Sequence, residues 1–107
     1  MITIKYEHKD NRFELCVDGH ATSAPKGEDV ICAGVSTLTI TLAQALTEHS
    51  PEWLDKCVIR TMEGHSTFEI VAKKAKHYKV SIIFDTILAG YQLMWNTFPD
   101  YIQLSLS

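Results

Sequence analysis

The chain is expected to fold as a two-layer α+β domain, a sheet of about five strands with two helices on one face. Two observations predict it. Short segments that alternate apolar and polar residues lie near both ends and in the middle. Two longer segments instead repeat apolar residues at spacings of three and four. Their order, strand-strand-helix-strand-strand-helix-strand, suits both helices packed on one side of the sheet, while the strand order is not readable from one sequence. The 107 residues fit one domain, 1–107, large enough to bury one core without a disulfide or metal staple.

Ile2, Ile4 and Tyr6 alternate with Thr3, Lys5 and Glu7, and Phe13, Leu15 and Val17 alternate with Glu14, Cys16 and Asp18. Both segments read as half-buried strands, joined through the polar turn His8–Asn11. Residues Asp18–Glu28 are rich in Gly, Pro and small polar residues and read as a loop. Asp29 follows as a candidate helix N-cap. Ile31, Val35, Leu38, Leu42 and Ala45 form one apolar helical face, with Thr37, Thr39, Thr41 and Gln44 mostly elsewhere. That helix should end near Pro51, since proline disfavours helix in the residue before it. Residues 57–63 and 67–73 read as strands around a Gly64-His65-Ser66 turn. Val80, Phe84, Ile87, Tyr91, Met94 and Phe98 mark a second helix, ended by Pro99. Ile102, Leu104 and Leu106 alternate in a last strand.

Composition narrows the function. A formal charge of −3 argues against a direct nucleic-acid binder, which needs clustered Lys and Arg. The one basic cluster, Lys73, Lys74, Lys76, His77 and Lys79, reads as a solvated loop. The first residues, MITIKYEHKDNR, have no signal-peptide h-region, and the apolar runs read as too short to span a bilayer. A cytoplasmic location with reduced thiols is expected, and no membrane partner. Three cysteines without a C-x-x-C pair suggest neither a disulfide framework nor a zinc site. The histidines lack ligand spacing such as H-E-x-x-H, so no metal is expected.

The stretch that carries chemistry runs from Gly19 to Ser36. A cysteine attacks an acyl group as a thiolate, and a free thiol titrates near pH 8.5. With Asp29 as N-cap, Cys32 stands in the first helical turn, where unpaired amides and the helix dipole favour negative charge. His20, at the mouth of the strand-to-helix loop, can take the thiol proton and later protonate the leaving amine. Cys32 and His20 are therefore the candidate catalytic pair. The backbone N–H groups of Cys32 and Ala33 are candidate oxyanion donors. Asp29 either caps the helix or holds the local backbone. Ser36, one turn on, either reaches the thiolate or substrate or bonds back to the Cys32 carbonyl. Gly19 and Gly27 permit positive φ. Read without a second signal, Cys32 at a helix start is more often a small buried hydrophobe than a nucleophile, and His20 is most often a surface loop residue. Cys16 and Cys57 read as inert thiols. Trp53, Tyr91 and Trp95 read as core, or as the lining of an aromatic-accepting pocket or dimer interface.

Gly19-His20-Ala21, Gly27, Asp29, Ile31-Cys32-Ala33 and Val35-Ser36 resemble the pattern of the ribosomal-processing cysteine protease family, Prp. The spacings of G-H-A, G-x-D and C-A-x-V-S are kept. The resemblance implies Cys32 and His20 as the catalytic pair and residues Ala21–Lys26 as a mobile cover over the site. It implies removal of a short N-terminal extension from a bacterial large-subunit ribosomal protein precursor, cutting after an aromatic residue and before a small one. It also implies a homodimer without cofactor. The chain departs from the pattern in two places: its loop lacks the large residues common there, and Gly34 replaces an alanine. Glycine inside a helix costs about 1 kcal/mol relative to alanine, so Gly34 points to close backbone packing. A phage-encoded relative that processes a capsid or scaffold protein, a non-enzymatic ribosome-associated binding module, and a cysteine hydrolase or transferase of small molecules are the competing readings.

Overall fold

A computed structural model describes the backbone of residues 1–20 and 28–107 and the side chains of residues 1–20 and 30–107. The expected cover (21–26), Gly27 and the Asp29 side chain lie outside the described residues. The elements are β1 (Ile2–Lys9), β2 (Arg12–Gly19), α1 (Glu28–Trp53), β3 (Leu54–Met62), β4 (His65–Ala72), a 3₁₀ turn (Lys74–Lys76), α2 (His77–Thr97) and β5 (Ile102–Leu106). The five strands form one sheet in the order β3-β4-β2-β1-β5. All neighbours are antiparallel except β1 and β5, which run parallel in the register Ile2↔Ile102 to Tyr6↔Leu106. The architecture is the α+β sheet with two helices that the periodicities predict.

Alternation decides which face of the sheet is covered. Ile2, Ile4 and Tyr6 of β1, Phe13, Leu15 and Val17 of β2, and Phe68, Ile70 and Ala72 of β4 are buried. Their sequence neighbours point to the other face, because side chains alternate along a strand. Ile31, Val35, Leu42 and Leu46 of α1 and Val80, Phe84, Ile87 and Tyr91 of α2 complete the core. Each fully buried Leu, Ile or Phe contributes about 1.5–3 kcal/mol. The two helices pack closely through their glycines. A Cβ on Gly34 would stand 2.7 Å from Met94 Cε, and one on Gly90 would stand 2.5 Å from Leu38 Cδ2.

Three boundaries and the burial of one residue differ from the sequence reading. Helix α1 continues past Pro51 to Trp53. Proline removes only one amide from the last turn, and that turn is held otherwise. Trp53 stacks on His49 with ring centroids 3.7 Å apart, the Lys73 amide donates to Trp53 O, and Lys73 Nζ donates to Pro51 O at 2.9 Å. The β3–β4 turn is Glu63-Gly64, flanked by the pair Met62↔His65, rather than Gly64–Ser66. Gly64, at the second turn position, has a φ of +76°, a conformation that favours glycine. The Lys73–Lys79 segment is not a simple loop but runs from β4 through the 3₁₀ turn into α2. Thr39, expected off the apolar face, is buried because it serves the Tyr91 hydroxyl. Its Oγ1 lies 2.7 Å from that oxygen and donates to Val35 O at 2.8 Å.

Residues Val30–Trp53 are long and apolar enough, by length and composition, to cross a membrane, with a mean hydropathy of 1.6. This corrects the expectation that no segment is. The face carrying Ile31, Val35, Leu42 and Leu46 is buried in the core, while Val30 and Ile40 are exposed, so core packing accounts for only part of this composition.

Candidate active site

Strand β2 delivers His20. Its last residue, Gly19, has φ +103°, and any Cβ there would collide with the Met1 carbonyl oxygen, so only glycine lets the chain pass. Two bonds then hold the backbone. The Gly19 amide donates to Gly64 O at 2.9 Å, and the Met1 amino group donates to His20 O at 2.8 Å. The imidazole of His20 lies against Gly64. A Cβ at Gly64 would stand 2.6 Å from His20 Cε1 and closer still to Nε2. The absent side chain of Gly64 is thus the seat of His20.

Helix α1 delivers the rest. His20, Cys32, Ala33 and Ser36 line one cleft of about 470 Å³ between the start of α1 and the β3–β4 turn, with Met62 and Ser66 on the sheet side. Cys32 is half-buried and packs against the core, while His20, Ala33 and Ser36 are exposed. Thr37, Thr39 and Thr41 each donate to the carbonyl four residues back, at 2.6–2.8 Å. Among the described residues Ser36 makes no such bond, so its hydroxyl is available to the cleft.

The helix start shifts one emphasis. With α1 opening at Glu28, Asp29 stands inside the helix rather than at its cap, and Cys32 is the fifth helical residue rather than the third. The helix dipole acts mainly within the first turn. The amides of Cys32 and Ala33 also have carbonyls four residues back to bond, so they are not among the orphan donors of the helix start. The helix start therefore offers Cys32 less positive potential than a first-turn position would, and any oxyanion role for these amides competes with the helical ladder.

A second imidazole at the cleft escaped the sequence reading. His65 Nδ1 lies 2.9 Å from Asp18 Oδ1, and the two are cross-strand partners. The sequence placed His65 in a turn, with no partner at metal-ligand spacing. The 47-residue separation is bridged only by the β2–β4 register, which no local pattern encodes. Among the described residues no three His, Cys, Asp or Glu side chains group to hold a metal.

Solved structures share this architecture. An essential ribosomal processing protease Prp from S. aureus, in complex with a covalently linked product peptide, is 23% identical, with both chains covered in full and a TM-score of 0.76. The same protease with a substrate peptide is 22% identical over the full length of both chains, with a TM-score of 0.76. SMU.848 from Streptococcus mutans is 23% identical over 99% of this chain and 93% of its own, with a TM-score of 0.71. At these identities the likeness establishes the fold. No curated protein sequence matches the chain. The family description "Cysteine protease Prp" matches residues 1–103, nearly the whole sequence, so the chain belongs to the Prp cysteine protease family.

Proposed function

We propose that this cysteine protease, a single domain over 1–107, uses Cys32 as nucleophile and His20 as general base. We further propose that it removes a short N-terminal extension from a bacterial large-subunit ribosomal protein precursor. The observation that carries the reading is the convergence of Cys32 and His20 on one cleft, with the imidazole seated on Gly64. His20 takes the Cys32 thiol proton as the sulfur adds to the scissile carbonyl carbon. Collapse of the tetrahedral adduct breaks the C–N bond, and His20 returns the proton to the leaving amine. A water molecule, deprotonated by His20, then hydrolyses the thioester and regenerates the thiol. Ser36, which also lines the cleft, hydrogen-bonds the substrate or the sulfur in this reading. Asp29 supports the opening of α1.

The substrate class is supported by the family and by the S. aureus neighbour, a ribosomal processing protease whose structures hold a product and a substrate peptide. Cytoplasmic action and a homodimer belong to the same reading. Exposed apolar side chains on the helices, Ile40 and Leu93 among them, are consistent with a second copy, and sedimentation of the purified chain tests that point.

The decisive assay incubates the protein with a peptide containing Phe-Phe-Ala-Ser and follows cleavage by mass spectrometry. Cleavage between the aromatic pair and alanine is expected, abolished in Cys32→Ser and reduced by about 10²–10⁴-fold in His20→Ala. Unchanged cleavage by folded Cys32→Ser overturns the mechanism. Failure of the wild type on this peptide and on full-length ribosomal precursors overturns the substrate and favours the phage or binding-module readings.

A further inference from the structure

Three successive rungs tie the cleft ends of β2 and β4 together. Asp18 pairs with His65, the Gly19 amide donates to Gly64 O, and the His20 ring lies on Gly64. The first rung is the outlier. A carboxylate only accepts hydrogen bonds, so His65 Nδ1 must carry the proton and donate it to Asp18 Oδ1 at 2.9 Å. The two side chains are 43% and 62% exposed, and a pair so open to water adds little to global stability. Its position is more informative than its strength. His65 is the residue next to Gly64, and Asp18 lies two residues before His20. Apart from the Gly19 amide on Gly64 O and the Met62↔His65 pair that closes it, the Glu63-Gly64 turn has no side-chain tie among the described residues: Glu63 is exposed, and Gly64 has no side chain to pack.

We propose that Asp18 and His65 form a clasp that positions His20, by holding the Gly64 turn beneath the imidazole. The proposal rests on His20 being the base for Cys32. His65 and Asp18 act here through His20 and are positioning residues. With the clasp open, the turn drifts, the seat moves, and the imidazole spends less time aligned with the sulfur. General-base catalysis depends steeply on that alignment.

The test compares His65→Ala, His65→Asn, Asp18→Ala, His20→Ala and the His20→Ala/His65→Ala double variant. Asparagine keeps an N–H near the position of Nδ1 and so keeps the clasp. Two readouts are taken: kcat and KM on the Phe-Phe-Ala-Ser peptide, and the rate at which iodoacetamide alkylates Cys32, resolved by peptide mass mapping. The second needs no substrate and reports the thiolate that an adjacent imidazole promotes. His65→Ala and Asp18→Ala are expected to lower kcat about tenfold, part of the total a general base supplies, with KM within about twofold. His65→Asn recovers most of the loss. In the His20→Ala background His65→Ala adds nothing, because coupled residues are not additive. Wild-type kcat in folded His65→Ala overturns the clasp. So does equal loss in His65→Asn, or a further loss in the double variant. If thermal melts show His65→Ala unfolded, Asp18→Ala carries the same comparison. If His20→Ala matches the wild type in both readouts, the catalytic pair itself fails. That result is separate from one in which His20 matters and His65 does not.

Discussion

Replacing Gly64 with alanine moves His20 without touching either residue of the proposed pair. The added Cβ would stand 2.6 Å from His20 Cε1 and 3.1 Å from Cδ2. Carbon atoms rest at about 3.5–4.0 Å, so the ring must retreat by about 1 Å. A misplacement of about 1 Å in a catalytic group costs on the order of 10²-fold in rate, equivalent to about 2.7 kcal/mol of barrier. Stability responds through a different cause. His20 is exposed and its ring can swing away cheaply, but Gly64 has φ +76°, where an L side chain costs about 1–2 kcal/mol. In a domain of this size about 1 kcal/mol corresponds to roughly 4–8 °C in Tm. Gly64→Ala should therefore lose about 4–16 °C in a thermal melt and about 10²-fold in kcat on the Phe-Phe-Ala-Ser peptide. Gly64→Asn separates the causes. Asparagine tolerates positive φ better than alanine but still carries the Cβ, so it should regain stability and not activity. Wild-type kcat in folded Gly64→Ala would refute the claim that Gly64 seats the base.

The remaining predictions concern the core. The Tyr6 hydroxyl is buried with no hydrogen-bond partner among the described residues. Tyr6→Phe should then leave stability unchanged or raise it by about 1 kcal/mol, measured by urea unfolding; a clear destabilisation would reveal a missed partner. Tyr91→Phe removes the bond to Thr39 and should cost about 1 kcal/mol at neutral pH. Burial pushes the Tyr91 phenol up to about 12, against a small opposing effect of the Thr39 bond. A raised folded-state pKa gives a contribution fully present below the unfolded value near 10 and lost as pH rises through about 12. Tyr6 shifts in the same direction, through burial and then the nearby Asp85 charge. Stability of the wild type should thus fall above pH 10, and the Tyr6→Phe/Tyr91→Phe variant should fall less; identical alkaline profiles would contradict this.

Much of the fold is legible in the residues. The period-two segments at 2–7 and 13–18 become β1 and β2 with the expected residues inward, and Val80, Phe84, Ile87 and Tyr91 are buried as their spacing requires. Apolar periodicity is read locally because side-chain direction is fixed by backbone geometry within one element. The pattern Gly19-His20 and Cys32-Ala33 with Ser36 also named the residues that meet in the cleft. Composition reads helix ends less well. Pro51 lies inside α1 because Trp53, His49 and Lys73 hold the last turn, and none of those contacts follows from the proline rule.

What only the folded chain decides is how elements far apart in sequence come into register. The order β3-β4-β2-β1-β5, the parallel pairing of β1 with β5, the Asp18–His65 bond and the seat that Gly64 gives His20 all depend on β2 lying beside β4. Periodicity says which face of a strand is buried, but many strand orders bury the same faces equally well. The choice among them is made by simultaneous packing of both helices on one sheet, a property of the whole core and of no single segment. The residue types on this chain therefore name a thiol and an imidazole suited to catalysis, while the tertiary structure alone brings them to one cleft and sets the imidazole on a glycine turn 44 residues away in sequence.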